Sequence, residues 1–132
     1  MHVISSRLTG LQWTKGAIRD TLFTDCRLDL SSFRFSKFSS VVFERCNLRQ
    51  ADFQHADLRG ARFVDCELVA AQFSNAKVDG TSFVRCALDG IGGVTSLRGA
   101  QVRATDAVAL LRTLAGALGI TIVDDDDEGT RP

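Results

Sequence analysis

Four cysteines are the first residues whose type and spacing invite chemistry: Cys26, Cys46, Cys66 and Cys86. Thiolates bind zinc and exchange disulfides, but this spacing is against both. A tetrahedral zinc site draws four ligands to about 2.3 Å from one point, usually from short paired spacings. Equal steps of twenty place these four in a line instead. Stacked at strand separation, roughly 4.8 Å, neighbours come within disulfide reach, yet parallel side chains are poorly aimed. A reducing compartment would also keep them as thiols. The expectation is four buried structural thiols.

The remaining catalytic inventory is thin. The two histidines, His2 and His55, stand far apart in sequence. No nucleophile elbow, phosphate-binding loop, dinucleotide fingerprint or metal-ligand spacing is present. Asp52 and Asp57 sit among short repeating units, where their carboxylates are spread over a surface rather than gathered in a cleft. The sequence therefore predicts no enzyme, no metal and no cofactor.

What positions these residues is a five-residue period. A large apolar residue recurs at every fifth position from Val3 to Leu88, with no polar interruption. Two positions earlier the residue is usually small, as at Cys26, Ser31, Ala51, Ala71 and Thr81. Five matches neither the 3.6 of a helix nor the 2 of a strand. It suits a chain that turns a corner after each short extended piece. A longer period of twenty joins Phe23, Phe43, Phe63 and Phe83, and likewise Leu28, Leu48, Leu68 and Leu88. The cysteines share that period, and Trp13, Phe33, Phe53 and Phe73 make another column. Four units per turn imply a square coil whose like side chains stack in internal columns. Internal repeats of this kind decide the architecture before any other signal. A coil so filled leaves no interior cavity for a substrate.

Units such as Ala51-Asp52-Phe53-Gln54-His55, Ala56-Asp57-Leu58-Arg59-Gly60 and Ala61-Arg62-Phe63-Val64-Asp65 resemble the A-(D/N)-L-x-x signature of pentapeptide-repeat proteins. The resemblance covers about two-thirds of the chain, in eighteen consecutive units. It implies an all-β fold, a right-handed quadrilateral parallel β-helix, with the central Leu or Phe inward and the small residue beside it. Some members of that family mimic duplex DNA, bind DNA gyrase or topoisomerase IV, and protect bacteria from fluoroquinolones. Such mimicry needs a long, strongly acidic rod. Residues 1–90 carry 12 basic against 10 acidic side chains. They supply about four and a half coils, roughly 20 Å of rod, so the DNA-mimicking modulator is the alternative reading. Direct nucleic-acid binding is not expected either.

Composition fits a filled coil. There are nine Phe and no Tyr, as suits an interior without a partner for a phenol, and the one Pro is Pro132. Net charge is zero over 132 residues, but five acids are bunched at 124–128. No apolar run is long enough to span a membrane. The N-terminal residues lack the basic and apolar regions of a signal peptide, so a cytoplasmic location is expected.

Beyond the repeat, the expectations are local. The coil occupies 1–104, with the frame broken by Gly92 and Gly93 at an irregular bulge over 91–94, then resuming one residue out of step. Thr105 reads as a helix N-cap, Val108, Leu111, Leu114, Ala115 and Leu118 as the stripe that seals the last coil, and Gly119 as the stop. Residues 120–123 read as a brief strand and 124–132 as an acidic disordered tail. The first coil has no preceding cap, so its edge either frays or takes a partner.

The candidate contact surface lies beside the Phe23, Phe43, Phe63 and Phe83 column. Four of the eight residues that flank it outward are aliphatic: Leu22, Val42, Val64 and Val84. Contiguous apolar patches on soluble proteins commonly mark interfaces. Asp25, Arg45, Asp65 and Arg85 line the adjoining corner as a column of alternating charge. Leu30 and Phe35 add apolar residues at other corners. The functional reading is a non-enzymatic interaction or scaffold module. It takes an unknown protein partner, or a second copy through the apolar face or an exposed end.

Overall fold

The computed structural model describes residues 1–123 and 125. The chain winds as a parallel β-solenoid. Six strands form one sheet in sequence order: β1 (His2–Ile4), β2 (Ala17–Thr24), β3 (Lys37–Glu44), β4 (Arg62–Val64), β5 (Ser82–Val84) and β6 (Gln101–Val102). Each pairs in parallel with the next, twenty residues on, as in Phe23 with Phe43 and Phe43 with Phe63. The other sides of the coil are joined by single bridges in the same register, such as Asn47 with Glu67 and Asp52 with Gln72. Five turns result, closed at the far end by α1 (Ala107–Ala117).

The corners explain the period. Every fifth residue from Ser5 to Gly90 has positive φ, and only four of these eighteen are glycine. The left-handed conformation costs a non-glycine residue roughly 1–2 kcal/mol. Here the ladder formed on both sides of each corner offsets that cost. Main-chain bonds hold each corner to the next turn, for example Leu30 N–H to Arg49 O at 2.9 Å. With four corners per twenty residues, the coil is square.

The inward side chains meet as columns. Phe23, Phe43, Phe63 and Phe83 stack face to face at 4.9, 5.0 and 5.2 Å. Phe33, Phe53 and Phe73 do the same at 5.3 and 5.4 Å. Rings of the two columns meet edge to face, as Phe53 and Phe63 do at 5.7 Å. Both arrangements suit the aromatic quadrupole. Leu28, Leu48, Leu68 and Leu88 are buried in a third column. The small residues between them use their polar atoms: Ser31 Oγ donates to Leu28 O at 2.5 Å and Thr81 Oγ1 to Leu58 O at 2.6 Å. Among the described residues, every buried side-chain nitrogen and oxygen has a partner.

The repeat fails at both ends in ways the periodicity misjudged. Trp13 does not take its place above Phe33; it is 43% exposed, and its indole lies across Gly16. Residues 1–4 do not fray, because β1 pairs with β2 and the terminal amine donates to Asp20 O at 2.7 Å. At the far end Ser82 pairs with Gln101 and Phe83 with Val102, a step of nineteen. The residue is lost at Gly93, whose φ of 75° brings its Cα against the Ser74 backbone and leads into a short 3-10 turn over Val94–Ser96. Ser96 Oγ then accepts from Asn75 N–H at 2.9 Å, where a further coil would offer a carbonyl.

The helix differs most from expectation. Asp106, not Thr105, is its N-cap residue, and its carboxylate accepts from Cys86 N–H at 3.2 Å instead of capping its own helix. The expected sealing stripe faces outward at Val108, Leu111 and Leu118. Leu110 packs against the core of the coil, Ala115 is buried, and Thr113 Oγ1 accepts from Gly90 N–H at 3.3 Å. Gly119 does end the helix: its φ is 74°, and Ile120 N–H reaches back to Ala115 O at 2.7 Å. Residues 120–123 form no strand, and the expected tail at 124–132 lies, apart from Asp125, outside the described residues.

Two glycine exchanges test the corner argument with opposite signs. A Cβ at Gly93 would lie 2.3 Å from Ser74 N, so Gly93→Ala should cost about 2–4 kcal/mol in urea unfolding. Ala70 already carries φ of 61°, so Ala70→Gly should leave stability unchanged or raise it by up to ~1 kcal/mol.

Candidate functional site

The cysteine column is structural. All four thiols are buried and free, and each donates to a carbonyl one turn back, as Cys66 Sγ does to Phe43 O at 3.2 Å. The adjoining Cys46 and Cys86 thiols, together with burial, hold the Cys66 thiol far above the ordinary range, and burial also raises Cys26. A thiol that cannot ionise is a poor nucleophile and ligand. Among the described residues no group of His, Cys, Asp or Glu is arranged to hold a metal ion. Cys66 should therefore resist a thiol reagent in native buffer and react only at the rate of unfolding, which timed DTNB labelling with and without urea would report.

Asp52 and Asp57 are turn builders. Asp52 Oδ1 accepts from Gln54 N–H at 3.0 Å, and Asp57 Oδ1 accepts from Arg59 N–H at 3.2 Å. Arg59 also binds Asp57 through its guanidinium at 2.7 and 2.9 Å, which holds that carboxyl below its ordinary range. His55 sits at a corner with its ring stacked on Phe35, centroids 4.6 Å apart. His2 Nε2 lies 2.9 Å from Thr24 Oγ1.

The four aliphatic residues proposed as a contact face do not make one continuous patch. Leu22 pairs with Val42, but the next partner in that column is Arg62. Val64 pairs with Val84 in the parallel column, preceded by Glu44. The result is a diagonal band. Leu22, Val42 and Val64 are half-buried, and Val84 is only 6% exposed, beside Gln101, Val102 and Arg103 at the end of the coil. The charged corner beside it resolves into two separate pairs: Arg45 to Asp25 at 2.9 Å and Arg85 to Asp65 at 2.7 Å. Exposed pairs of this kind contribute at most about 1 kcal/mol each.

Larger apolar surfaces occur at the two ends, where periodicity gave no guidance. At the C-terminal end Val108, Leu111 and Leu118 are 64%, 59% and 70% exposed, and Ile120, Ile122 and Val123 follow them into solvent. At the N-terminal end the interior opens. Val3 is too small to continue the Phe23 column and Trp13 has swung outward, leaving a hollow of about 400 Å³. Leu8, Leu11, Ile18, Phe23 and Phe33 line it, with Arg19 at its polar margin. The expectation of a wholly filled coil is corrected here: it holds for the middle turns and fails at the first.

The Asp57 carboxylate supplies a pH test. Its folded pKa is depressed, so its contribution to stability is present above the ordinary value of 3.8 and is lost as pH falls through the folded value. Asp57→Asn, which keeps the turn acceptor, should flatten that part of the acid limb in thermal melts below about pH 4. A variant with an acid limb identical to wild type would show that the pair contributes nothing.

This geometry has solved counterparts. A pentapeptide repeat protein from the thylakoid lumen of Arabidopsis thaliana is 23% identical, with a TM-score of 0.70 over 83% of this chain and 77% of that one. The protein Rfr23 from the cyanobacterium Cyanothece 51142 is 14% identical, with a TM-score of 0.61 over 78% of this chain and 88% of its own. Both likenesses establish the fold. No curated protein matches the sequence. The model of the pentapeptide repeat region matches residues 1–73 and 36–92, well over half the length. The chain belongs to the pentapeptide-repeat family.

Proposed function

We propose that this chain is a non-enzymatic protein-binding module that works through apolar surface at the ends of its coil. The observation that carries the reading is the outward face of α1. An amphipathic helix normally buries its apolar stripe, whereas this one buries Leu110 and Ala115 and leaves Val108, Leu111 and Leu118 to solvent. Uncovered aliphatic area of that kind is stabilised by association. A second copy is the simplest partner, since two-fold pairing of identical patches is the commonest assembly. The diagonal band of Leu22, Val42 and Val64 is a secondary contact in this reading, limited because each member is half-buried. A cytoplasmic setting belongs to the same proposal and agrees with four unpaired thiols. No described helix is long and apolar enough to cross a membrane.

DNA mimicry, the other reading drawn from the family, needs an acidic face. Here five of the ten carboxylates of residues 1–90 are paired with arginine: Asp25 and Glu44 with Arg45, Asp65 with Arg85, Asp57 with Arg59 and Asp52 with Arg34, and residues 1–90 carry more basic than acidic side chains. No observation favours it over the binding module.

Light scattering over a concentration series is the direct test. The wild-type mass should rise with concentration, and Val108→Glu with Leu111→Glu should lower it without changing the melting of the coil. A wild-type chain that stays monomeric throughout and behaves as that variant does would overturn the reading. In a gyrase supercoiling assay the chain should have no effect, even in large molar excess over the enzyme.

A further inference from the structure

The two ends of the coil differ in a complementary way. At the N-terminal end β1 is an edge strand of the sheet. Within the coil, N–H groups such as those of Arg27 and Ser32 donate back to Ser6 O and Leu11 O of the preceding turn. The equivalent N–H groups of Arg7 and Gln12 have no main-chain acceptor among the described residues. Beside this open ladder lies the hollow of about 400 Å³, floored by Phe23 and Phe33, whose two aromatic stacks stop there. The side chains of this first turn are basic, with Arg7, Lys15 and Arg19 against Asp20.

The C-terminal segment has the opposite character. Residues 120–123 read Ile-Thr-Ile-Val, all β-branched and suited to a pleated strand. They have no sheet partner among the described residues, and Ile120 and Ile122 are 57% and 50% exposed. Five consecutive acids follow at 124–128. One end thus offers an unpaired edge, an apolar hollow and positive charge. The other offers an unpaired strand former, two alternate isoleucines and negative charge.

We infer that the open N-terminal end is a docking site for the C-terminal segment of a second copy, residues 120–123 adding as a strand beside β1. Ile120 and Ile122, on one side of that strand, enter the hollow over Phe23 and Phe33, and the acids after them meet Arg7, Lys15 and Arg19. Strand addition at a free edge is an established recognition mode in which backbone bonds give affinity and alternate side chains give specificity. Pairing two N-terminal ends with each other is disfavoured by their like charge. The contact is heterologous, so it builds head-to-tail chains rather than a closed dimer. The inference rests on the binding-module reading and names the surface and the partner.

Trp13 is the only tryptophan and lies on the rim of the hollow, so it reports on occupancy. A synthetic peptide of residues 119–132 titrated into the full chain should shift Trp13 emission to the blue. Binding should weaken about threefold or more between low salt and 0.5 M salt, as exposed ion pairs are screened. Leu11→Arg, which places a charge in the hollow, should abolish the shift, and Arg19→Glu, at the solvent margin where folding is not at stake, should weaken it. In the full chain, Ile120→Asp with Ile122→Asp should remove the oligomers larger than a dimer. A peptide that leaves the emission unchanged, or a scrambled peptide that works equally well, overturns the proposal. So does undiminished head-to-tail growth in the Ile120→Asp, Ile122→Asp chain. Association that survives those changes but is lost with Val108→Glu and Leu111→Glu would refute this docking and leave the binding-module reading standing.

Discussion

A left-handed corner at every fifth residue is the constraint on which this molecule depends. Eighteen such corners in succession let the chain return over itself after twenty residues with no drift in register. Register is what places Phe43 over Phe23 and Cys46 over Cys26. One residue gained or lost would turn every inward side chain of the following turns toward another face. The single slip occurs at Gly93, where only glycine fits against the Ser74 backbone, and regular coil ends within ten residues. Corner conformation, ladder and core are therefore one cooperative device, in which unfavourable φ at Leu30, Phe35 or Ala70 is tolerated because neighbours above and below fix it.

The same device sets what the side chains in the middle of the coil do. Columns at about 5 Å leave space for one ring or one thiol per level, and the hydroxyls and thiols there are spent on main-chain carbonyls of the same or an adjacent turn. The Cys26 and Cys66 thiols in that setting are held neutral, and surface carboxylates serve turns and arginines. Nothing converges on a point, because a repeating lattice sets like groups side by side in lines. In the proposed reading, specific recognition arises where the lattice is interrupted, at its ends.

Both ends are incomplete in physical terms. The helix satisfies Cys86 and Gly90 N–H through Asp106 and Thr113, so the far end is partly capped by hydrogen bonds while its outer face stays apolar. The near end keeps an open ladder and a hollow over the ends of two aromatic stacks. A solenoid with one end plugged and the other unpaired has a built-in direction, and a partner that fits one end does not fit the other.

The sequence by itself determined the coil: the period, the Phe, Leu and Cys columns, the irregular glycines at 92 and 93 and the helix stop at Gly119. It could do so because each of these residues repeats one environment many times, so the pattern averages over local accidents. The ends carry no repetition. Trp13 falls in the right frame, yet without a coil above it the indole gains as much by lying over Gly16 as by pointing inward. In α1 apolar residues stand nearly all round, at Val108, Leu110, Leu111, Leu114 and Leu118, so periodicity cannot choose a face. Tertiary structure chose Leu110, because Asp106 and Thr113 were drawn to bare N–H groups of the last turn and fixed the rotation of the helix. Val84 reads as outward from its place beside Phe83 and is buried only because the slipped last turn folds past it. Those contacts join segments with no common period, and their balance exists only once the coil beneath them is formed.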